Sequence, residues 1–360
     1  MTIEEILNIP PYSLDKHDKS GMLNERLRHL TMHHYQHCPE YRRMINATNI
    51  NIDHLPDYTE LPFLPVRLFK EFDLMSIPRE EVVKTMTSSG TTGQAVSKIY
   101  LDKTTAGNQT KALVKIVTNY LGTQRVPMLI IDSPEVLKNR FMFSARGAGI
   151  IGFSIFSSKR QYALNDKMEL DIEGMKAFLE ENKNQPIFLF GFTFMIWQHF
   201  YKKLVESDFR PDLSNGIMIH GGGWKKLTNE QVHPNEFKSR LKDVCGIRQV
   251  YDYYGMVEQT GSICMECPEG HLHAPIFSDV IIRRSADFSR ANHGEEGIIQ
   301  VVSVLPESYP GHSLLTEDLG LILGEDDCLC GRKGKYFKIK GRIKNAEIRG
   351  CSDTYATKFR

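Results

Sequence analysis

Between Val82 and Leu101 of this 360-residue chain lies a run of small hydroxylated residues and glycines, Ser88, Ser89, Gly90, Thr91, Thr92 and Gly93, reading SSGTTG. Glycine lets the main chain approach a polyphosphate closely, and hydroxyls with exposed N–H groups donate to its oxygens. Two β-favouring stretches, 82–86 and 98–101, bracket the run, and Lys98 adds a cation just beyond it. Taken alone, such a run reads more readily as a surface turn. It lacks the Gly-Lys-Ser/Thr ending of the GxxxxGK[ST] phosphate loop, and no helical pattern clearly follows it.

Further weak motifs follow in order. Gly221, Gly222 and Gly223 stand in HGGGW, Tyr254, Gly255, Met256 and Glu258 in YDYYGMVEQTG, Asp318 in LLTEDLG, and Arg342 in KGRIKNAEIRG. A glycine-ended strand is usually a tight turn, and Asp-Leu-Gly is usually a loop. In this fixed order, however, the set resembles the adenylate-forming superfamily of acyl-CoA synthetases, firefly-type luciferases and peptide-synthetase adenylation domains. The resemblance implies a phosphate grip at 88–93, adenine contacts from Gly221 to Gly223, and an aromatic beside adenine at Tyr254. It also implies a magnesium-binding Glu258, a ribose-holding Asp318 and a hinge arginine at Arg342. The implied reaction is attack of a carboxylate on the α-phosphate of ATP with pyrophosphate leaving, for which positioning and charge stabilisation supply most of the catalysis.

Within that superfamily the chain resembles the acyl-protein synthetases of the LuxE type. Typical adenylate-forming enzymes carry a mobile C-terminal domain that the 18 residues after Arg342 would reduce to a stub. Neither Lys340 nor Lys344 matches the superfamily's late catalytic lysine. The LuxE resemblance implies a fatty acid substrate, acyl transfer to a cysteine near the C-terminus at Cys351, and delivery to a partner reductase. A thiolate attacking an acyl-adenylate gives a thioester, and Arg349 and Lys358 are cations in the same segment. A free cysteine in a frayed tail is the plain alternative. Three further readings stay open: a CoA ligase similar to phenylacetate-CoA ligase, transfer to a carrier protein, and a catalytically silent nucleotide-binding protein.

Seven cysteines, an odd number in a chain of this size, read as reduced thiols. Cys264 and Cys267, followed by His271 and His273 and later by Cys328 and Cys330, have the residue types of a tetrahedral zinc site, although CxC is tighter than the usual spacing. Similarity to phenylacetate-CoA ligases, which have a Cys, a His six residues on and a distant CxCGR, implies Cys267, His273, Cys328 and Cys330 as the ligand set. That zinc would be structural.

Candidates for an apolar acid pocket are Phe190, Phe192, Phe194 and Trp197 before the glycine segment, although aromatics at this spacing are more often core. His220, just ahead of the glycines, is a candidate to orient a carboxylate. His33 and His34 receive no role.

These residues need a scaffold, and the rest of the chain predicts an α/β one. Leu23, Leu27, Leu30, Met32 and Tyr35 recur near helical spacing before Pro56, Pro62 and Pro65 break the pattern. A helix capped by Asp102 is predicted over 104–121, with strands at 127–132, 186–192, 215–223 and 248–255 and a helical pattern through Phe194, Trp197, Phe200 and Leu204. This alternation predicts a largely parallel sheet flanked by helices, followed from 276 by short strands of a smaller β subdomain. The divisions expected are 1–80 helical, 81–275 nucleotide- and acyl-binding core, 276–340 β-rich, and 341–360 hinge and tail. Lys plus Arg number 45 against 44 Asp plus Glu, which argues against nucleic acid as principal partner. The acidic N-terminus and the short apolar run at 147–156 predict neither a signal peptide nor a membrane span, hence a cytoplasmic protein.

Overall fold

The computed structural model describes residues 1–48, 50–88, 96–138 and 145–343. The chain forms two compact units: one from residues 1–119 with the segment starting at Gly255, the other from residues 120–254.

The first part of unit 1 is helical: α1 (Ile3–Asn8), α2 (Lys16–His37) and α3 (Pro39–Asn46). Thr2 closes a reciprocal capping box with Glu5 on α1, and Asp15 caps α2 by accepting from the Asp18 amide, so orphan N–H groups at both starts are satisfied. The face of α2 carrying Met22, Leu23, Leu27 and Leu30 is buried, as the spacing predicted. Two-residue strand β1 (Leu64–Pro65) and short α4 (Leu68–Glu71) follow, then the antiparallel pair β2 (Lys84–Thr87) and β3 (Lys98–Leu101), then α5 (Lys103–Leu121). Asp102 accepts from Thr105 N at 2.9 Å, the predicted cap.

Unit 2 contains β4 (Val126–Ile131), α6 (Glu135–Lys138), α7 (Ala145–Ser154), β5 (Ser157–Tyr162), α8 (Ile172–Glu181) and β6 (Ile187–Phe192). After them come α9 (Thr193–Met195), a π turn over Ile196–Tyr201, α10 (Lys202–Glu206), β7 (Gly216–Gly221), α11 (Pro234–Cys245) and β8 (Gln249–Tyr254). Its strands are parallel, in the order β8, β7, β6, β4, β5. This is a doubly wound arrangement whose order reverses between β4 and β6, and ligands of such sheets bind beyond the carboxyl ends of the strands near that reversal. Alternation along β6 sends Ile187 and Leu189 into a core with Met218, Trp197, Phe200, Phe237 and Leu241. Phe188 and Phe190 point to the opposite face, where Phe153 of α7 stacks on Phe190 at 4.4 Å.

Unit 1 resumes with β9 (Cys264–Glu266), β10 (Leu272–His273), β11 (Ser278–Arg283), β12 (Gly297–Ser303), β13 (Ser313–Glu325) and β14 (Lys335–Arg342). These pair antiparallel in the order β11, β12, β13, β14, β10, β9, while β1 lies parallel to β13 through Leu64↔Leu314. The fold is α/β, with both parallel and antiparallel pairing and flanking helices. The chain passes between the compact units at 119/120 and 254/255. Among the described residues no helix is long and apolar enough to cross a membrane.

His34 and His312, stacked at 4.9 Å inside unit 1, bear on its acid stability. His34 faces Ser76 Oγ at 2.7 Å and Pro306 O at 3.2 Å, and His312 Nε2 faces Thr31 Oγ1 at 3.0 Å. Burial holds both below the ordinary 6.5, with His312 at about 3, and neighbouring His33 and Arg26 reinforce the shift. Both are neutral when folded and protonate when unfolded. Their contribution to stability is therefore full above pH 6.5 and is lost as pH falls below it, for His312 down to about 3. The maximal loss is about 1.4 kcal/mol per pH unit for each ring. Urea midpoints measured at neutral pH and then stepwise into acid should fall, and His312→Gln should flatten that fall; an unchanged slope would clear His312 of the effect.

Candidate active site and metal centre

The β2–β3 pair presents the predicted phosphate loop. Ser88 closes its base, with its amide donating to Ser97 O at 3.0 Å and its hydroxyl accepting from Ser97 N at 2.9 Å. Ser89, Gly90, Thr91, Thr92 and Gly93 lie outside the described residues. Lys98 pairs with Asp73 at 3.5 Å.

In the same unit Glu258 lies in a single turn over Val257–Gln259 and is 1% exposed. Its main-chain oxygen accepts from Tyr309 Oη at 2.9 Å, and that hydroxyl accepts from Gln109 Nε2 of α5 at 3.2 Å. Gly261, three residues on, has φ +92°, and a Cβ there would stand 2.5 Å from Gln109 O. Glycine is thus required by both the left-handed backbone and the close approach to α5. Asp318 and Arg342 are direct register partners across β13 and β14. Arg342 Nε lies 3.3 Å from Asp318 Oδ1, and its Nη2 donates to Glu317 at 2.7 Å. An acid and a guanidinium thus share one end of the hairpin.

Within unit 2, Gly221 ends β7 and Gly222 follows at φ +72°. A Cβ on Gly221 would lie 2.5 Å from the Tyr253 ring, and one on Gly222 would lie 3.0 Å from Phe192. The glycine segment is therefore where two aromatics approach bare backbone. Gly223 has open space around its Cα. Tyr254 is the last residue of unit 2, and Gly255 and Met256 begin the second part of unit 1.

Phe192, Trp197 and His220 do not share one face. Phe192 sits among Gly149, Phe190 and Gly222. Trp197 belongs to the core cluster on the other face and donates Nε1 to Glu230 at 3.1 Å. His220 also points that way, with Nδ1 3.0 Å from Thr193 Oγ1 and its ring 5.0 Å from Phe237. Burial, assisted by Lys238, pushes His220 down to about 3, so it is neutral near pH 7. The period of two along β6 and β7, applied to the aromatics and His220 together, would have separated them.

Reading by motif also missed a buried pair beyond the carboxyl end of β4. Arg146, in the first turn of α7, lies 3.0 Å from Asp132 through Nε and donates Nη2 to Asp132 at 3.1 Å. Burial outweighs Arg146 and raises Asp132 to about 6. The sequence signal was faint: a charge directly after an apolar strand.

The implied zinc set comes together within unit 1. The donor atoms of Cys267, His273, Cys328 and Cys330 all lie within 4.8 Å of one another. Cys267 and Cys328 arrive from the ends of the β9–β10 and β13–β14 connections with sulfurs 3.9 Å apart, and Cys330 Sγ is 3.4 Å from His273 Nε2. A tetrahedron with Zn–S of about 2.3 Å and Zn–N of about 2.05 Å has S···S edges of about 3.8 Å and S···N edges of about 3.6 Å. The observed separations fit such an ion. Cys351 lies outside the described residues.

A family model described as acyl-protein synthetase, LuxE, matches residues 2–360. The chain is similar to long-chain-fatty-acid–luciferin-component ligases of Vibrio harveyi, 21% identical over 91% of this chain and 85% of that protein, and of Aliivibrio fischeri, 22% identical over 89% and 84%. It is 31% identical to phenylacetate-coenzyme A ligase of Thermus thermophilus over 89% of this chain and 69% of that protein. Among solved structures, an open conformation of 2-hydroxyisobutyryl-CoA ligase with 2-HIB-AMP and CoA shares the fold at TM-score 0.68 and 16% identity, over 94% of this chain and 78% of that one.

Proposed function

The chain belongs to the acyl-protein synthetase (LuxE) family and is an AMP-forming acid ligase, and we propose that its acid is a fatty or similarly apolar one, passed from acyl-AMP to a thiol. The support is a family match over residues 2–360, a span that includes every motif from Ser88 to Arg342. On this reading the 88–93 loop, Met256, Glu258, Asp318 and Arg342 of unit 1 handle the phosphates, metal and ribose of ATP, and Gly221–Gly223 and Tyr254 of unit 2 are its adenine-contacting residues. A carboxylate oxygen of the acid bonds to the α-phosphorus as the bond to pyrophosphate breaks. Glu258 would hold magnesium, which would offset polyphosphate charge. Asp318, steadied by Arg342, takes the ribose hydroxyls. Phe192, beside Gly222, lines the acid site.

In the second step a thiolate attacks the acyl carbonyl and AMP departs with the bonding electrons, leaving a thioester. Cys351 is the proposed first acceptor, and a reductase or carrier protein the next. Replacing it as Cys351→Ser should leave pyrophosphate release unchanged and abolish hydroxylamine-labile labelling by radioactive acid. Label persisting in that variant assigns the thioester elsewhere.

Similarity to a phenylacetate-coenzyme A ligase supports CoA as the alternative acceptor. A pyrophosphate-release screen over fatty, aryl and small acids, with and without CoA, decides between them. Nucleotide binding with no release for any acid would instead favour a silent binding protein.

Cys267, His273, Cys328 and Cys330 would hold zinc, which ties the β9–β10 loop to the β13–β14 turn and takes no part in the chemistry.

A further inference from the structure

A fifth donor stands beside the four metal-binding atoms. His271 Nδ1 is 3.5 Å from Cys328 Sγ, yet His271 is outside the set whose donor atoms are mutually within 4.8 Å. It therefore approaches one sulfur without completing the tetrahedron. Its ring is held in place: it stacks on Tyr336 at 5.0 Å and 26°, and the Tyr336 ring also stacks against His273, its register partner, at 5.5 Å. Its main-chain oxygen accepts from Cys267 N at 2.8 Å, so the residue is fixed to the ligand loop at both ends.

Three thiolates and one imidazole around a dication leave one net negative charge in a site whose Cys267 and Cys328 are buried. Such charge is costly unless donors are aimed at the sulfurs. Arg332 supplies one, its guanidinium hydrogen-bonded to Cys330 while lying 5.3 Å over the Tyr12 ring. At Cys328 it is His271 that faces the sulfur.

We propose that His271, with its proton on Nδ1, donates to the Cys328 thiolate and is a positioning residue that retains the metal. This rests on the reading that the four-residue cluster holds zinc. Outer donors to metal ligands typically carry a 10- to 100-fold effect on affinity, on the order of that expected here.

The test uses the full chain isolated with its zinc. Zinc transfer to a colorimetric chelator should be about 10- to 100-fold faster for His271→Ala than for the parent. His271→Asn, whose side-chain N–H occupies nearly the place of Nδ1, should recover most of the difference. A structural role alone would give both variants the same rate. His271→Ala releasing zinc at the parent's rate, or His271→Asn failing to rescue, overturns the proposal. A parent that carries no zinc and takes up none overturns the metal reading beneath it, a result distinguishable from the first.

Discussion

Replacing Glu258 with glutamine should reduce acid-dependent pyrophosphate release by roughly 10³-fold with little change in fold. A carboxylate that holds a metal at a transferring phosphoryl group is worth several kcal/mol of transition-state charge stabilisation, and about 1.4 kcal/mol is tenfold in rate. Glutamine keeps the volume of a side chain that is 1% exposed, and the hydrogen bond from Tyr309 goes to the main chain, which the substitution leaves alone. Loss of rate with an unchanged unfolding midpoint would therefore assign the effect to charge. Glu258→Ala should lose as much rate and some stability in addition. A glutamine variant as fast as the parent would remove Glu258 from the proposed magnesium site.

The second large effect concerns the Cys267, His273, Cys328 and Cys330 cluster. Metal analysis of the parent should find one zinc per chain, and Cys267→Ser with Cys328→Ser should find none. Structural zinc in small domains contributes on the order of 10 kcal/mol to folding, so even a fraction of that would rival a domain's net stability. Unit 1 should consequently unfold at markedly lower temperature after chelation, and the loss should be absent from the double variant, which has no metal to give up. Identical melting of parent and chelated protein would dispose of the structural role.

Much of this protein could be read before its fold was seen, and the reasons differ by element. Strands β4, β6 and β7 are largely apolar because a parallel sheet covered on both faces leaves little room for polar residues, so 127–132, 186–192 and 215–223 lie nearly at the true bounds; 248–255 does too, although β8, QVYDYY, is only partly buried. Strand β5, Ser157–Tyr162, was missed: it is SSKRQY, half exposed at the sheet edge, with nothing apolar to mark it. The π turn at Ile196–Tyr201 hides inside a run with ordinary helical spacing. The grouping of Cys267, His273, Cys328 and Cys330 was legible through resemblance, because Cys and His have few other reasons to recur so closely. Which face Phe192, Trp197 and His220 take was legible only in part, and the Asp132–Arg146 pair depended on a helix returning to a strand end.

Among the described residues unit 2 is the single stretch 120–254, whereas unit 1 is assembled from segments on either side of it, with Leu64 and Leu314 as register partners. During synthesis at about 5–20 residues per second, the 250 residues separating them take roughly 12 to 50 seconds to emerge. For that interval α2 lacks the partners it has in the finished protein, where Lys19 pairs with Asp279 of β11 and Arg26 donates to Val304 O. Birth order thus makes the N-terminal helices the segment most dependent on holdase protection, and it predisposes unit 2 to mature first.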